Sequence, residues 1–178
     1  MKQIISARSE EARIINDAWT LNRDPDAESV QAGEIIAFAC WKRLRALGML
    51  PDTAGYAVWL APEDAFSSEI EALLHLPLIA VDFPSFRDGR GYSVAYLLRQ
   101  RHDYRGELRA IGDVLRDQLF FMQRCGFDSF DIKAGKDIQD ALKGLSSYSV
   151  KYQGAVDDPV PLFRKRGDMR AELDDWEP

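Results

Sequence analysis
Histidine and cysteine are scarce in this 178-residue chain, with two of each. Cys40 and Cys125 lie far apart and form no CxxC pair, so a dithiol or cluster ligand set is disfavoured, and both read as buried thiols packing like small apolar groups. Adding His75 and His102 does not assemble the ligand set of a zinc site, and two histidines give no convincing Ser-His-Asp triad. Cationic residues are in deficit, 23 Lys and Arg against 29 Asp and Glu. That argues against broad nucleic-acid binding, which needs basic side chains to displace phosphate counterions. No apolar stretch approaches the ~20 residues needed to span a bilayer. The start, Met1-Lys2-Gln3-Ile4-Ile5-Ser6, turns polar too soon for a secretory signal. These absences predict a cytoplasmic protein with no metal, no redox cofactor, no membrane and no nucleic acid as partner.

What is present predicts one domain over 1–178, since this length suits one good core and not two. Residues 1–24 read as an N-terminal hairpin or flap, with Gln3-Ile4-Ile5 and Arg13-Ile14-Ile15 flanking a polar turn. A βα core follows over 25–152 and a charged tail over 153–178. In the core, strands are predicted at Gly33 to Phe38, Tyr56 to Leu60, Leu78 to Val81, Glu107 to Ile111 and Phe127 to Ile132. Helices are predicted at Ala39 to Leu47, from the capping box at Ser68 to Leu76, at Tyr92 to His102 with Arg101 on the apolar stripe, at Asp113 to Arg124 with Asp113 as N-cap, and at Lys136 to Leu145. The repeated strand–helix alternation calls for an α/β fold with a mainly parallel sheet of about five strands. Five units suit a doubly wound, three-layer sandwich with helices on both faces, the alternative being a half-barrel of βα units.

In either fold, ligands sit beyond the carboxyl ends of the strands, and three consecutive ends carry distinctive loops. The first is FPSFRDGRGYS, from Phe83 to Ser93; the second is Gly112-Asp113, with Arg116-Asp117-Gln118 following; the third is Asp131-Ile132-Lys133 with Gly135 and Lys136. Gly89 and Gly91 allow close backbone approach, and the amides of Gly91, Tyr92 and Ser93 would be free donors at a helix start. Arg87 and Arg90 add forked, charge-assisted donors, and the expectation is an anion site with Arg109 and Gln118 as further members. The plainer reading is an ordinary Asp-Gly turn whose arginines pair with Asp88 or Asp103. Arg109, inside a strand, calls for a carboxylate partner, with Asp82 or Asp131 on the flanking strands, and Gln118 for loop backbone or a ligand. Asp113 and Asp117 are the candidate acid/base residues, although N-capping explains Asp113 more simply. The loop is neither a dinucleotide fingerprint nor a P-loop, lacking a third glycine and Gly-Lys-Ser/Thr. Trp19, Trp41 and Tyr96 look exposed and leave room for a homodimer. Tyr148 and Tyr152 read as packing residues.

The stretch Leu78 to Phe130, above all FPSFRDGRGYS, GELRAIGD and the Arg124-Cys125-Gly126-Phe127 turn, resembles an uncharacterised bacterial family. Its members are described as probable oxidoreductases involved in sulfite reduction. That resemblance implies a role beside assimilatory sulfite reductase, with a small oxyanion (sulfite, sulfate or phosphate-like) or the reductase itself as partner. It implies no particular catalytic residue. The residues themselves leave two alternatives open: an enzyme acting on a phosphorylated or other anionic small molecule, or a structural subunit.

Overall fold
The computed structural model describes residues 2–9, 11–51, 55–146 and 151–165. Eight strands are described: β1 (Gln3–Ser6), β2 (Arg13–Asn16), β3 (Thr20–Leu21), β4 (Glu34–Ala37), β5 (Ala57–Leu60), β6 (Leu78–Phe83), β7 (Glu107–Gly112) and β8 (Ser129–Phe130). They form one sheet in the order β2-β1-β8-β7-β6-β5-β4-β3. From β3 to β8 every neighbour is parallel and in chain order, while the β1–β2 hairpin joins antiparallel to β8.

That order decides between the two expected folds. A doubly wound sheet reverses direction at a switch point, so its right-handed crossovers place helices on both faces. Here the order never reverses, so every crossover helix falls on the same side. The helices α1 (Phe38–Ala46), α2 (Ile70–Leu73), α3 (Arg90–Tyr96), α4 (Leu119–Cys125) and α5 (Ile138–Leu142) accordingly share one apolar core. Trp41, Leu44, Leu73, Leu98 and Met122 meet Ile36, Val58, Val81, Leu108 and Phe130 there. The opposite strand face holds a separate, smaller cluster of Ile35, Ala57, Leu78, Ala80 and Ile111 under Trp19, Leu21 and Trp59. The fold is the half-barrel; the three-layer arrangement is not adopted.

The link between β2 and β3 shows how far the sheet curls. These are the two edge strands, and eight strands laid flat at ~4.8 Å spacing would separate them by roughly 34 Å. Only Asp17, Ala18 and Trp19 join them, a span of at most about 14 Å. The link therefore closes the two rims toward each other and passes along the concave face. It is pinned there by a buried ion pair: the Arg109 guanidinium donates to both Asp17 carboxylate oxygens at 2.9 and 3.0 Å. Glu107 accepts from Arg109 at 2.7 Å and from the Ser129 hydroxyl at 2.6 Å. The partners of Arg109 are thus Asp17 and Glu107, not Asp82 or Asp131.

Several elements depart from the sequence reading. Ser68 caps nothing; a 3-10 turn at Ser67–Glu69 leads into α2, a single helical turn. After Tyr96 the helix widens into a π turn, Leu97–Arg101. The wider turn (i→i+5) advances the phase, bringing Arg99 inward and leaving Arg101 exposed, the reverse of the predicted stripe. Arg99 then donates to the carbonyls of Gly126 at 2.9 Å and Gly106 at 2.9 Å, to that of Tyr104, and to the Asp128 carboxylate at 2.8 Å. Trp41 is buried, at 1% exposure, whereas Tyr96 is exposed. The residues beyond 165, and Tyr148, lie outside the described residues.

Removing the Arg109 guanidinium strands Asp17 in the interior. Arg109→Met is expected to destabilise the protein by ~3–5 kcal/mol, read from the shift in urea midpoint. The pair Asp17→Asn/Arg109→Met should cost less than the sum of its single changes.

Candidate functional site
The carboxyl ends of β6, β7 and β8 place Asp82, Gly112-Asp113 and Asp131-Ile132-Lys133 side by side. These strand ends meet at one cleft, but of the first loop only its start, Phe83 and Pro84, reaches it. Two adjoining cavities open there. One, of about 450 Å³, is lined by Asp82, Phe83, Pro84 and Asp113; the other, of about 460 Å³, by Gln3, Leu21, Ile132, Lys136 and Ile138. Arg23, Gly112 and Lys133 line both.

The cations of this cleft come from three places. Lys133 and Lys136 follow β8, whereas Lys2 precedes β1 and is carried in because β1 pairs with β8. Arg23 lies two residues past β3 and is held over the Trp59 ring at 5.4 Å. Trp59 also donates its indole N–H to the carbonyl of the neighbouring Asn22 at 3.0 Å. Three of the four meet a carboxylate at the strand ends: Arg23 donates to Asp82 at 2.7 Å, Lys133 contacts Asp113 and Lys2 contacts Asp131. Lys136 has no acidic partner within 4 Å among the described residues. Four cationic side chains thus face three carboxylates, and the cleft is locally positive in a chain whose net charge is −6.

Asp113 does not act as a helix N-cap. After a bend at Asp113, Leu115 is extended, a 3-10 turn covers Arg116–Gln118, and only then does α4 begin. The Gln118 side chain takes the capping role, accepting from the Leu115 amide at 2.9 Å and donating to the Phe86 carbonyl at 3.2 Å. This is the loop-backbone reading of Gln118. The Asp113 carboxylate is left to accept from the Phe86 amide at 3.1 Å and to meet Lys133, whose ammonium holds its pKa below the usual carboxylate range. Asp117 is exposed and does not line the cleft.

The glycine–arginine loop is not brought into the cleft. Arg90 is engaged by Asp88 at 2.6 Å, with Glu63 at 3.8 Å, and the Asp88 contact lowers the pKa of that carboxylate. Arg87 is exposed beside the Phe86 ring. Gly89 has an ordinary negative φ. Gly91 serves packing: a Cβ there would lie 2.7 Å from the Phe83 ring. Tyr92 packs edge-on against Phe83 and tilted against Phe121, and Ser93 is exposed. Arg109 belongs to the buried network described above. Of the residues expected at the site, Asp113 alone lines the cleft. The cations there are Lys133 and Lys136, visible as the third strand-end loop, together with Arg23 and Lys2, which no local pattern marks.

A family model described as "Bacterial protein of unknown function (DUF934)" matches residues 57–163. The chain belongs to that family. The matched span carries β5 to β8 with Asp82, Asp113, Asp131, Lys133 and Lys136, while Lys2, Leu21 and Arg23 precede it. No curated protein and no solved structure matches the chain. Among the described residues no group of three or more His, Cys, Asp or Glu is placed to hold a metal ion, and no helix is long and apolar enough to cross a membrane.

The acidity of Asp113 gives a test of the Lys133 contact. A carboxyl depressed in the folded state contributes stability above its unfolded pKa of ~3.9, and that contribution is lost as pH falls through the lower folded value. Asp113→Asn should therefore flatten the loss of thermal stability below about pH 4. Lys133→Met should flatten it similarly, both followed as Tm against pH.

Proposed function
We propose that this protein binds a small anion in the cleft at the carboxyl ends of β6, β7 and β8. The observation that carries the reading is the convergence of Arg23, Lys133, Lys136 and Lys2 on one open cavity, in a chain otherwise rich in acid. Anions are attracted to such a site because low-dielectric walls concentrate the field of its cations. Arg23 supplies a planar fork for two oxygens, and the lysines act as point charges. Lys136 is free to meet the ligand at once. Lys133 and Arg23 exchange a carboxylate for it, so affinity is modest and falls with salt.

Within that reading, the resemblance to proteins of sulfite reduction makes sulfite or sulfate the natural first ligand. The protein is then an accessory of assimilatory sulfite reduction, presenting or sensing an oxyanion beside the reductase. The supporting chemistry is that a tetrahedral or pyramidal oxyanion suits a fork and two ammonium groups. A second reading, an enzyme acting on an anionic small molecule, draws support from Asp113. Its carboxylate sits in the cleft, ionised at neutral pH, where a general base would be needed.

Titration calorimetry with sulfite, sulfate and phosphate at low ionic strength tests the proposal. Saturable binding is expected, weakened at least tenfold (about 1.4 kcal/mol) by Lys133→Ala or Lys136→Ala. Arg90→Ala, whose guanidinium is taken by Asp88, should leave it unchanged. Equal weakening by Arg90→Ala would move the site to the glycine–arginine loop. Absence of saturable binding would overturn the proposal. Turnover of an anionic substrate, abolished by Asp113→Asn, would favour the enzyme.

A further inference from the structure
The cleft is larger than a bare oxyanion requires, and part of its wall is apolar. The cavity on the β8 side measures about 460 Å³, within the ~300–1,000 Å³ of sites that hold organic ligands. An inorganic oxyanion fills only a few water volumes of ~30 Å³ each. The wall is divided by chemistry. Arg23, Lys133 and Lys136 lie along one part, and Leu21, Ile132 and Ile138 along another. All three apolar residues are half-buried, their backs against the protein and their remaining surface toward the opening.

Resting on the anion reading above, we infer that the ligand is an organic anion: a phosphate or sulfonate head joined to a compact apolar body. The head sits where Arg23 and Lys133 border both cavities, within reach of Lys136. The body lies against Leu21, Ile132 and Ile138. Burying such a body adds ~25 cal/mol for each Å² of apolar surface removed from water, a gain that inorganic phosphate or sulfate cannot collect. The start of α5 supplies no competing site for the head. Its free amides at Gln139 and Asp140 are already taken by the Asp137 carboxylate, at 2.8 and 3.3 Å.

The test compares phenyl phosphate with inorganic phosphate on the full chain by titration calorimetry. Phenyl phosphate is expected to bind at least tenfold more tightly. Ile138→Thr should shrink that advantage several-fold while leaving inorganic phosphate unchanged. Ile132→Thr is the second variant should the first fail to fold, with circular dichroism as the check on each. Equal affinity for the two probes overturns this inference and leaves the anion site intact. An advantage for phenyl phosphate that both folded variants retain also overturns it. Failure of both probes to bind removes the anion site and the inference together.

Discussion
Three residues between the outermost strands govern the shape of this molecule. Asp17, Ala18 and Trp19 must reach from β2 to β3, so the sheet has to bend until its rims approach. The bend creates an inner surface, and the link runs along it. Asp17 then lies opposite Arg109, and Trp19 covers the small inner cluster. A charged residue in the middle of a central strand would otherwise be a severe cost, since an unpaired guanidinium in the interior has nowhere to shed its charge. Sheet curvature and ion pair are mutually dependent: the link brings the carboxylate, and the carboxylate holds the link.

The same path sets the cleft. After Trp19 the chain turns up through β3 and delivers Leu21 and Arg23 at the carboxyl end. On the other flank β1 delivers Lys2 to the end of β8. The parallel strands contribute Asp82, Asp113 and Asp131, and the segments flanking β1 and β3 contribute half of the cations. Each carboxylate therefore meets a positive group from elsewhere in the sequence or from the next loop. This alternation neutralises the strand-end carboxylates, while Lys136 leaves the local sum positive.

Much of this was readable from the chain and some was not, for physical reasons. The strands β4 to β7 fall where apolar runs of four to six residues meet breakers, because a buried parallel strand has little other way to be written. The meeting of the ends of β6, β7 and β8 followed from the alternation of elements, whereas the path of the loop after Pro84 did not. What periodicity could not show was a change of period: the π turn after Tyr96 exchanges Arg99 and Arg101, and no residue there announces it. The role of Asp113 was hidden because an aspartate before an apolar stretch has the composition of a cap; the true cap, Gln118, lies three residues into the turn. The partners of Arg109 and the arrival of Arg23 and Lys2 depend on pairings between residues about 60 to 130 apart, which no local window contains. Arg87, Arg90, Gly89 and Gly91 looked like a ligand loop because Gly and Arg serve turns and packing with the same letters.

The pairing of β1 with β8 has a consequence for how the chain reaches its final form. Ile5 and Ser6 find their partners at Phe130 and Ser129, so β1 joins β8 only after all the βα units between them have been brought together. Ordering contacts so distant along the chain is slow, because the entropy of closing the loop is lost before any contact compensates for it. Until then the β1–β2 ribbon and the rim of the growing sheet expose unpaired edges. The β1–β8 contact thus closes the longest loop between paired strands of the sheet and carries the largest closure entropy among them.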